Sequence, residues 1–291
     1  MKNIYITGGL GQDGIILTKK FYKKKKFRLF LYDKKNKKIN KNQKKMFINN
    51  EKVFYDFFSK KPPDVIIHLA ANNPSFGEKS FKKFYLKNLR FTKNIVTKAK
   101  FFNSKVKVIF ANSSQIFKVK NGKVNENSNY KITSHYTRFR IETIKLLDEL
   151  KINYTNLILF NHDSIYRKKK FLIPRIIFAL KNNNKKFIQG IINKNIHGDF
   201  SHAEDICNAI YKVSISNKKI NNLVLSSNKC TSLNNLIVYL INMNKLKMDY
   251  KFNSLKKITC LKGENLKAMK LLNWRPKKNI FLAAQEMFKL K

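Results

Sequence analysis

The chain has 291 residues, 43% of them hydrophobic, enough to bury one large core or a core with a smaller lobe against it, which excludes a mainly disordered protein. Its 62 Lys and Arg against 17 Asp and Glu leave a formal net charge of +45. The bias is mainly lysine and accompanies many Asn, Ile and Phe but few Gly and Pro, so codon composition is a sufficient cause. The field favours anionic small ligands such as diphosphates, and no specific nucleic-acid partner is expected.

Met1, Lys2 and Asn3 lead straight into a short apolar run without the length or flanks of a signal peptide. No apolar run approaches the roughly 18 residues of a membrane span, so a cytoplasmic chain is expected. Cys207, Cys230 and Cys260 are odd in number and widely spaced, which fits neither a metal knuckle nor a disulfide framework; reduced thiols are expected. The basic runs Lys23 to Lys26, Lys34 to Lys38 and Arg167 to Lys170 fall between apolar segments and are expected to form solvated faces.

In chain order, Ile4 to Thr7 predicts a strand, Ile15 to Tyr22 a helix, Arg28 to Tyr32 a strand and Val65 to Ala70 another. A helical pattern around Phe84 to Lys100 precedes the strand Val106 to Ala111, and one from Tyr136 to Leu150 precedes the strand Asn156 to Phe160. This alternation predicts an α/β fold, a Rossmann doubly wound parallel sheet over residues 1–160. From 161 to 291 a smaller mixed α/β lobe is expected, with a returning Rossmann segment. It comprises helix Phe171 to Lys181, a loop before Asp199, helix Ala203 to Val213, strand Asn222 to Ser226 and a last helix near Phe281 to Leu290.

The first strand runs into Gly8, Gly11 and Gly14, spaced three apart, and then at once into a helix. Glycines there permit a tight turn and a close backbone approach to a pyrophosphate resting on the helix N-terminus, so a dinucleotide is expected. The second strand ends at Asp33, where a carboxylate can accept hydrogen bonds from ribose hydroxyls; this favours NAD over NADP, although Lys34 and Lys35 could neutralise a 2′-phosphate. The fourth strand ends in His68, Leu69, Ala70 and Ala71, small residues suited to a flat cofactor ring, with His68 expected as a packed core side chain.

The strand ending at Ala111 continues into Asn112, Ser113, Ser114 and Gln115, and Tyr136 follows 23 residues after Ser113 with Arg140 one helical turn later. A tyrosine beside a fixed cation can serve as acid/base for a sugar hydroxyl, with Ser113 bonding the same oxygen.

These features, with Gln12, Asp13 and Gly14 in the turn, Phe160 to Ser164, Asp199 to Asp205 and Leu272 to Pro276, resemble the extended short-chain dehydrogenase/reductases, and within them most nearly the GDP-mannose 4,6-dehydratases. The resemblance implies that Ser113 and Tyr136 are catalytic, that Arg140 stands where lysine is usual, and that Asn161, Arg175 and His202 serve the substrate. It implies a nucleotide sugar, GDP-linked, and a homodimer or homotetramer. It also exposes a departure: Gln115 stands where the dehydratases carry the glutamate that removes the C5 proton, and an amide cannot act as that base. Three readings stay open: a dehydratase with its base moved to His135, His202 or Asp163, a 4-keto sugar reductase or epimerase, and a non-catalytic binding relative.

Overall fold

The computed structural model describes residues 1–24, 26–34, 47–74, 78–79, 81–252 and 258–290. Lys25 and Lys35 to Lys38, named above in the basic runs, lie outside the described residues.

The amino-terminal part runs β1 (Lys2–Thr7), α1 (Gln12–Tyr22), β2 (Phe27–Tyr32), β3 (Phe47–Ile48), α2 (Glu51–Lys60), β4 (Val65–His68), α3 (Lys82–Phe102) and β5 (Lys107–Ser113). After a 3-10 turn at Ser114–Ile116 come β6 (Gly122–Val124), α4 (His135–Glu149), β7 (Asn153–Leu159) and β8 (Asn161–Asp163). The chain continues through α5 (Leu172–Lys181), α6 (Lys185–Lys194), β9 (His197–His202), α7 (Ala203–Ile215), β10 (Asn222–Leu225), β11 (Cys230–Ser232) and α8 (Leu233–Met243), then β12 (Leu261–Gly263), α9 (Leu266–Leu272) and α10 (Ile280–Lys289).

Seven strands form one sheet in the order β10-β7-β5-β4-β1-β2-β3, and every pair in it is parallel. Parallel strands are covered on both faces, which is why Ile4 to Thr7 is buried at every position instead of alternating. Ile4 and Ile6 pack under α1 and α7 with Leu17, Phe21 and Ile210, while Tyr5 points to the opposite layer. There its ring stacks on Phe30 at 4.3 Å and meets Phe58 edge-on at 4.9 Å. Strand order reverses at β1, between β4 and β2, and crevices outside the carboxyl ends at such a point are where open α/β sheets bind ligands.

A second core gathers α5, α6, α8 and α10 around Ile176, Ile188, Ile237 and Ala284. The small sheet β11-β9-β8 borders it, with β9 antiparallel to β11 and parallel to β8. The stretch expected as a loop before Asp199 contains α6, capped by the Asn184 side chain accepting the Phe187 amide at 3.0 Å. Its Ile188, Ile191 and Ile192 recur at helical spacing and are buried. Asp199 itself is inside β9, where its carboxylate accepts the Ser227, Asn228 and Gly263 amides at 2.8, 3.0 and 3.2 Å.

The cysteines correct the expectation of three thiols. Cys230 and Cys260, 30 residues apart, form a disulfide with Cα atoms 6.2 Å apart, and only Cys207 is free, buried beneath α1. Sequence spacing hid this because the pairing depends on β11 and the segment leading into β12 meeting beside β9. No helix among the described residues is long and apolar enough to cross a membrane.

Candidate active site

The glycine turn is closed by contacts that leave no room for side chains at Gly8 and Gly14. Gly8 has φ +74°, and its amide and that of Gly9 donate to the Tyr32 carbonyl at 2.7 and 3.1 Å. A Cβ on Gly8 would lie 3.1 Å from the Ala70 nitrogen, and one on Gly14 only 2.4 Å from the Gly8 oxygen. Gly11 caps α1 without any side-chain hydrogen bond, so the amides of the first turn remain turned to the cleft. These residues fit a dinucleotide pyrophosphate.

An acidic residue in that first turn would oppose a phosphate, yet Asp13 is turned away. Its carboxylate meets His162 Nε2 at 3.1 Å. Burial alone would raise the Asp13 pKa, but the His162 charge and hydrogen bond, with Arg167 behind them, hold it at about 2. Burial pulls His162 down in turn, and Asp13 more than offsets it, so the imidazole is raised above its ordinary value. Gln12 fixes the same junction, donating to the His162 carbonyl at 3.1 Å and accepting from Ser164 Oγ at 3.1 Å.

Asp33 directly follows β2 and accepts the Leu10 amide at 3.1 Å. Lys34 is drawn to Glu51 at 3.9 Å and lies over the Phe91 ring at 5.3 Å. A cleft of about 660 Å³ runs from Gly8, Gly11, Gln12, Asp13, Gly14 and Asp33 past Leu69, Ala70 and Ala71 to Tyr136. A second cleft of about 620 Å³ is lined by Gln115, Ser134, His135 and Tyr136. The two share Pro74, Glu78, Lys79, His135 and Tyr136 in their walls, so Tyr136 stands where they meet.

The local sequence places Tyr136 firmly. Ser134 and Thr137 form a reciprocal capping box: Ser134 Oγ accepts the Thr137 amide at 3.2 Å and Thr137 Oγ1 accepts the Ser134 amide at 3.0 Å. That box fixes the turn carrying His135 and Tyr136. One turn on, the Arg140 guanidinium lies 5.0 Å from the Tyr136 ring centroid and donates to the Ala111 carbonyl and, at 3.0 Å, to Asn73 Oδ1. It is 4% exposed and has no carboxylate partner among the described residues. Burial and this cation together push the pKa of His68 down to about 3. His68, held by Thr7 at 2.7 Å and Thr92 at 2.8 Å, is a neutral core residue.

Ser113 ends β5 half-buried, with Oγ accepting the Gln115 amide at 3.2 Å, and does not line either cleft. Three expected substrate residues lie apart from the clefts as well. Asn161 is exposed on β8, and Arg175 packs its guanidinium 5.2 Å from the Phe187 ring centroid. His202 is fully buried: Nδ1 accepts the Glu204 amide at 3.1 Å as the cap of α7, and Nε2 meets Glu286 at 3.1 Å.

Conversely, the run Arg167 to Lys170, expected to be a solvated face, partly lines the first cleft through Arg167, Lys168 and Lys170, with Phe171 next to them. Arg167 stacks on Phe171 at 3.7 Å and pairs with Asp163 at 3.0 Å. The signal was available: the run follows directly on His162 to Ser164, which Gln12 ties to the glycine turn.

A comparison with curated protein sequences found no match. Among solved structures, a UDP-glucuronic acid 4-epimerase from Bacillus cereus in complex with NAD superposes with a TM-score of 0.80 at 18% identity, covering 98% of this chain and 97% of that one. A UDP-glucose 4-epimerase from Thermotoga maritima gives 0.81 at 16% identity over 99% and 97%. A dTDP-glucose 4,6-dehydratase from Bacillus anthracis in complex with NAD gives 0.79 at 15% identity over 99% and 96%. At these identities the likeness establishes the fold. The sequence itself matches one family over residues 4–223, from within β1 into β10, and on that span the chain belongs to the NAD dependent epimerase/dehydratase family.

Proposed function

We propose that the chain is a nucleotide-sugar-modifying enzyme in which Tyr136 gives and takes the proton of the sugar C4 hydroxyl. The observation that carries this reading is the place of Tyr136, on the shared wall of the dinucleotide cleft and the second cleft. A bound nicotinamide dinucleotide supplies the hydride acceptor and donor. The glycine turn and the first amides of α1 hold its pyrophosphate, and Asp33 takes a ribose hydroxyl, which favours NAD. Arg140 stabilises negative charge as it develops on the Tyr136 oxygen, because a buried cation without a carboxylate is poorly screened. Arg167, Lys168 and Lys170 supply positive charge for a diphosphate.

The GDP-mannose 4,6-dehydratase resemblance favours a GDP-linked sugar, while the fold is shared with enzymes whose substrates carry UDP. Gln115, on the wall of the second cleft, cannot remove a proton, so C4 epimerisation or 4-ketone reduction is favoured over elimination of water at that position. Incubating the protein with GDP-, UDP-, dTDP- and CDP-sugars and NAD, and with 4-keto sugars and NADH, tests the assignment, with C4 epimers resolved by chromatography and NMR and reduction or loss of water read by product mass. Turnover of one nucleotide class that Tyr136→Phe abolishes is expected; no turnover of any would overturn it.

A further inference from the structure

Four of the five histidines are committed within the fold. His68 bonds two threonines, His162 pairs with Asp13, His197 meets Asn195 Oδ1 at 3.0 Å, and His202 caps α7. His135 differs: its Nδ1 is buried without a hydrogen-bond partner among the described residues, although the side chain lines both clefts beside Tyr136. The ring is held in place from behind, stacked on Tyr85 with centroids 6.2 Å apart, and the Tyr85 hydroxyl donates to Glu142. With Nδ1 enclosed, Nε2 is the nitrogen that can face a ligand, and it makes no hydrogen bond among the described residues, so the imidazole is equipped to move a proton there.

We infer that His135 is a second acid/base of this site, one that removes the proton from the ring carbon next to a C4 ketone. The inference rests on the proposed oxidation state change at C4, because a ketone acidifies the C–H bonds on its neighbouring carbons. The C–H bond breaks, its proton moves to the imidazole, and its electron pair becomes the enolate π bond as the carbonyl electrons shift to oxygen. Return of a proton restores the ketone, so no oxidant or reductant is consumed. Glu78, on the shared wall of the clefts, is paired with Lys170 at 3.8 Å, and the two other side chains the sequence offered for this role are placed elsewhere. His202 has both ring nitrogens engaged, and Asp163 is buried against Arg167 outside the second cleft. The substrate class that follows is a 4-keto nucleotide sugar with an exchangeable hydrogen at C3 or C5.

The test supplies the ketone directly. The full chain with NAD, and no reductant, is incubated in D2O with dTDP-4-keto-6-deoxyglucose and its UDP and GDP counterparts, and deuterium uptake is read by mass spectrometry. We expect uptake above the buffer rate with at least one of them, slowed about 10²-fold or more in His135→Gln and in His135→Asn, with melting temperature and NAD affinity retained. Uptake at the native rate in either folded variant would overturn the inference, as would no uptake on any of the three ketones. Tyr136-dependent conversion at C4, read as C4 epimer from nucleotide sugars with NAD or as reduced sugar from 4-keto sugars with NADH, is measured separately: its absence counts against the proposed C4 chemistry, whereas its presence without His135-dependent exchange counts against His135 alone.

Discussion

Arg140 carries a cation into the interior without a carboxylate to balance it, an arrangement that is costly unless function retains it. The aromatic faces of Phe110, Phe139 and Tyr136, with centroids 5.5, 5.1 and 5.0 Å away, offset part of that cost. Arg140→Met should therefore leave the protein folded while lowering turnover, measured as kcat at saturating sugar. Tyr136→Phe removes the proposed proton carrier itself, and a loss of about 10² to 10⁴ in kcat is expected. Gln115→Glu puts a carboxylate on the second cleft; mass analysis of products is expected to show increased elimination of water. Tyr136 and Arg140 were legible because a spacing of four on a helix fixes neighbours. The committed state of His202 was not, because its partner Glu286 lies 84 residues away.

At the scale of elements, the glycine turn separates two kinds of position. Gly11 has φ −75°, open to any residue, and a Cβ there would lie 3.2 Å from the Gly8 carbonyl oxygen, a milder contact than at Gly14, so Gly11→Val should keep the fold at a small cost in stability and abolish dinucleotide binding by calorimetry. Gly14→Ala drives a Cβ into the Gly8 carbonyl and should cost about 1–3 kcal/mol of stability as well, read by denaturant unfolding. The ion pair beneath α1 gives a pH signature. Asp13 is held below its ordinary 3.8, so its contribution, about 2 kcal/mol, is present above that pH and is lost as pH falls toward 2. His162 is raised above its ordinary 6.5, so its contribution is present below 6.5 and is lost as pH rises through the raised value. The stability difference between the native protein and Asp13→Asn should thus peak between about pH 4 and 6.5 and shrink on both sides, as melting temperatures across pH would show. Reducing the Cys230–Cys260 bridge should lower the melting temperature, since closing a 30-residue loop is worth roughly 3–4 kcal/mol in the chain-entropy account.

For the whole molecule, the parallel sheet was readable from strand-helix alternation and the turn after β1 from its glycines, which are local patterns. The lobe was less legible. Its helix α6 carries a clear apolar stripe, but β8, β9 and β11 are short strands rich in polar residues whose pairing is set by distant partners such as Asp199 with Gly263. The charge of +45 remains a surface property: duplex DNA should bind only in low salt and without sequence preference in a filter or anisotropy assay. What distinguishes the molecule is the meeting of two clefts at Tyr136. The most direct test is turnover of a panel of nucleotide sugars with NAD, and of 4-keto sugars with NADH, by the native protein and by Tyr136→Phe, with C4 epimers resolved by chromatography and NMR and other products read by mass. Turnover of one nucleotide class by the native protein, lost in the variant, is the expected result; turnover that survives Tyr136→Phe, or none with any sugar, would contradict the account.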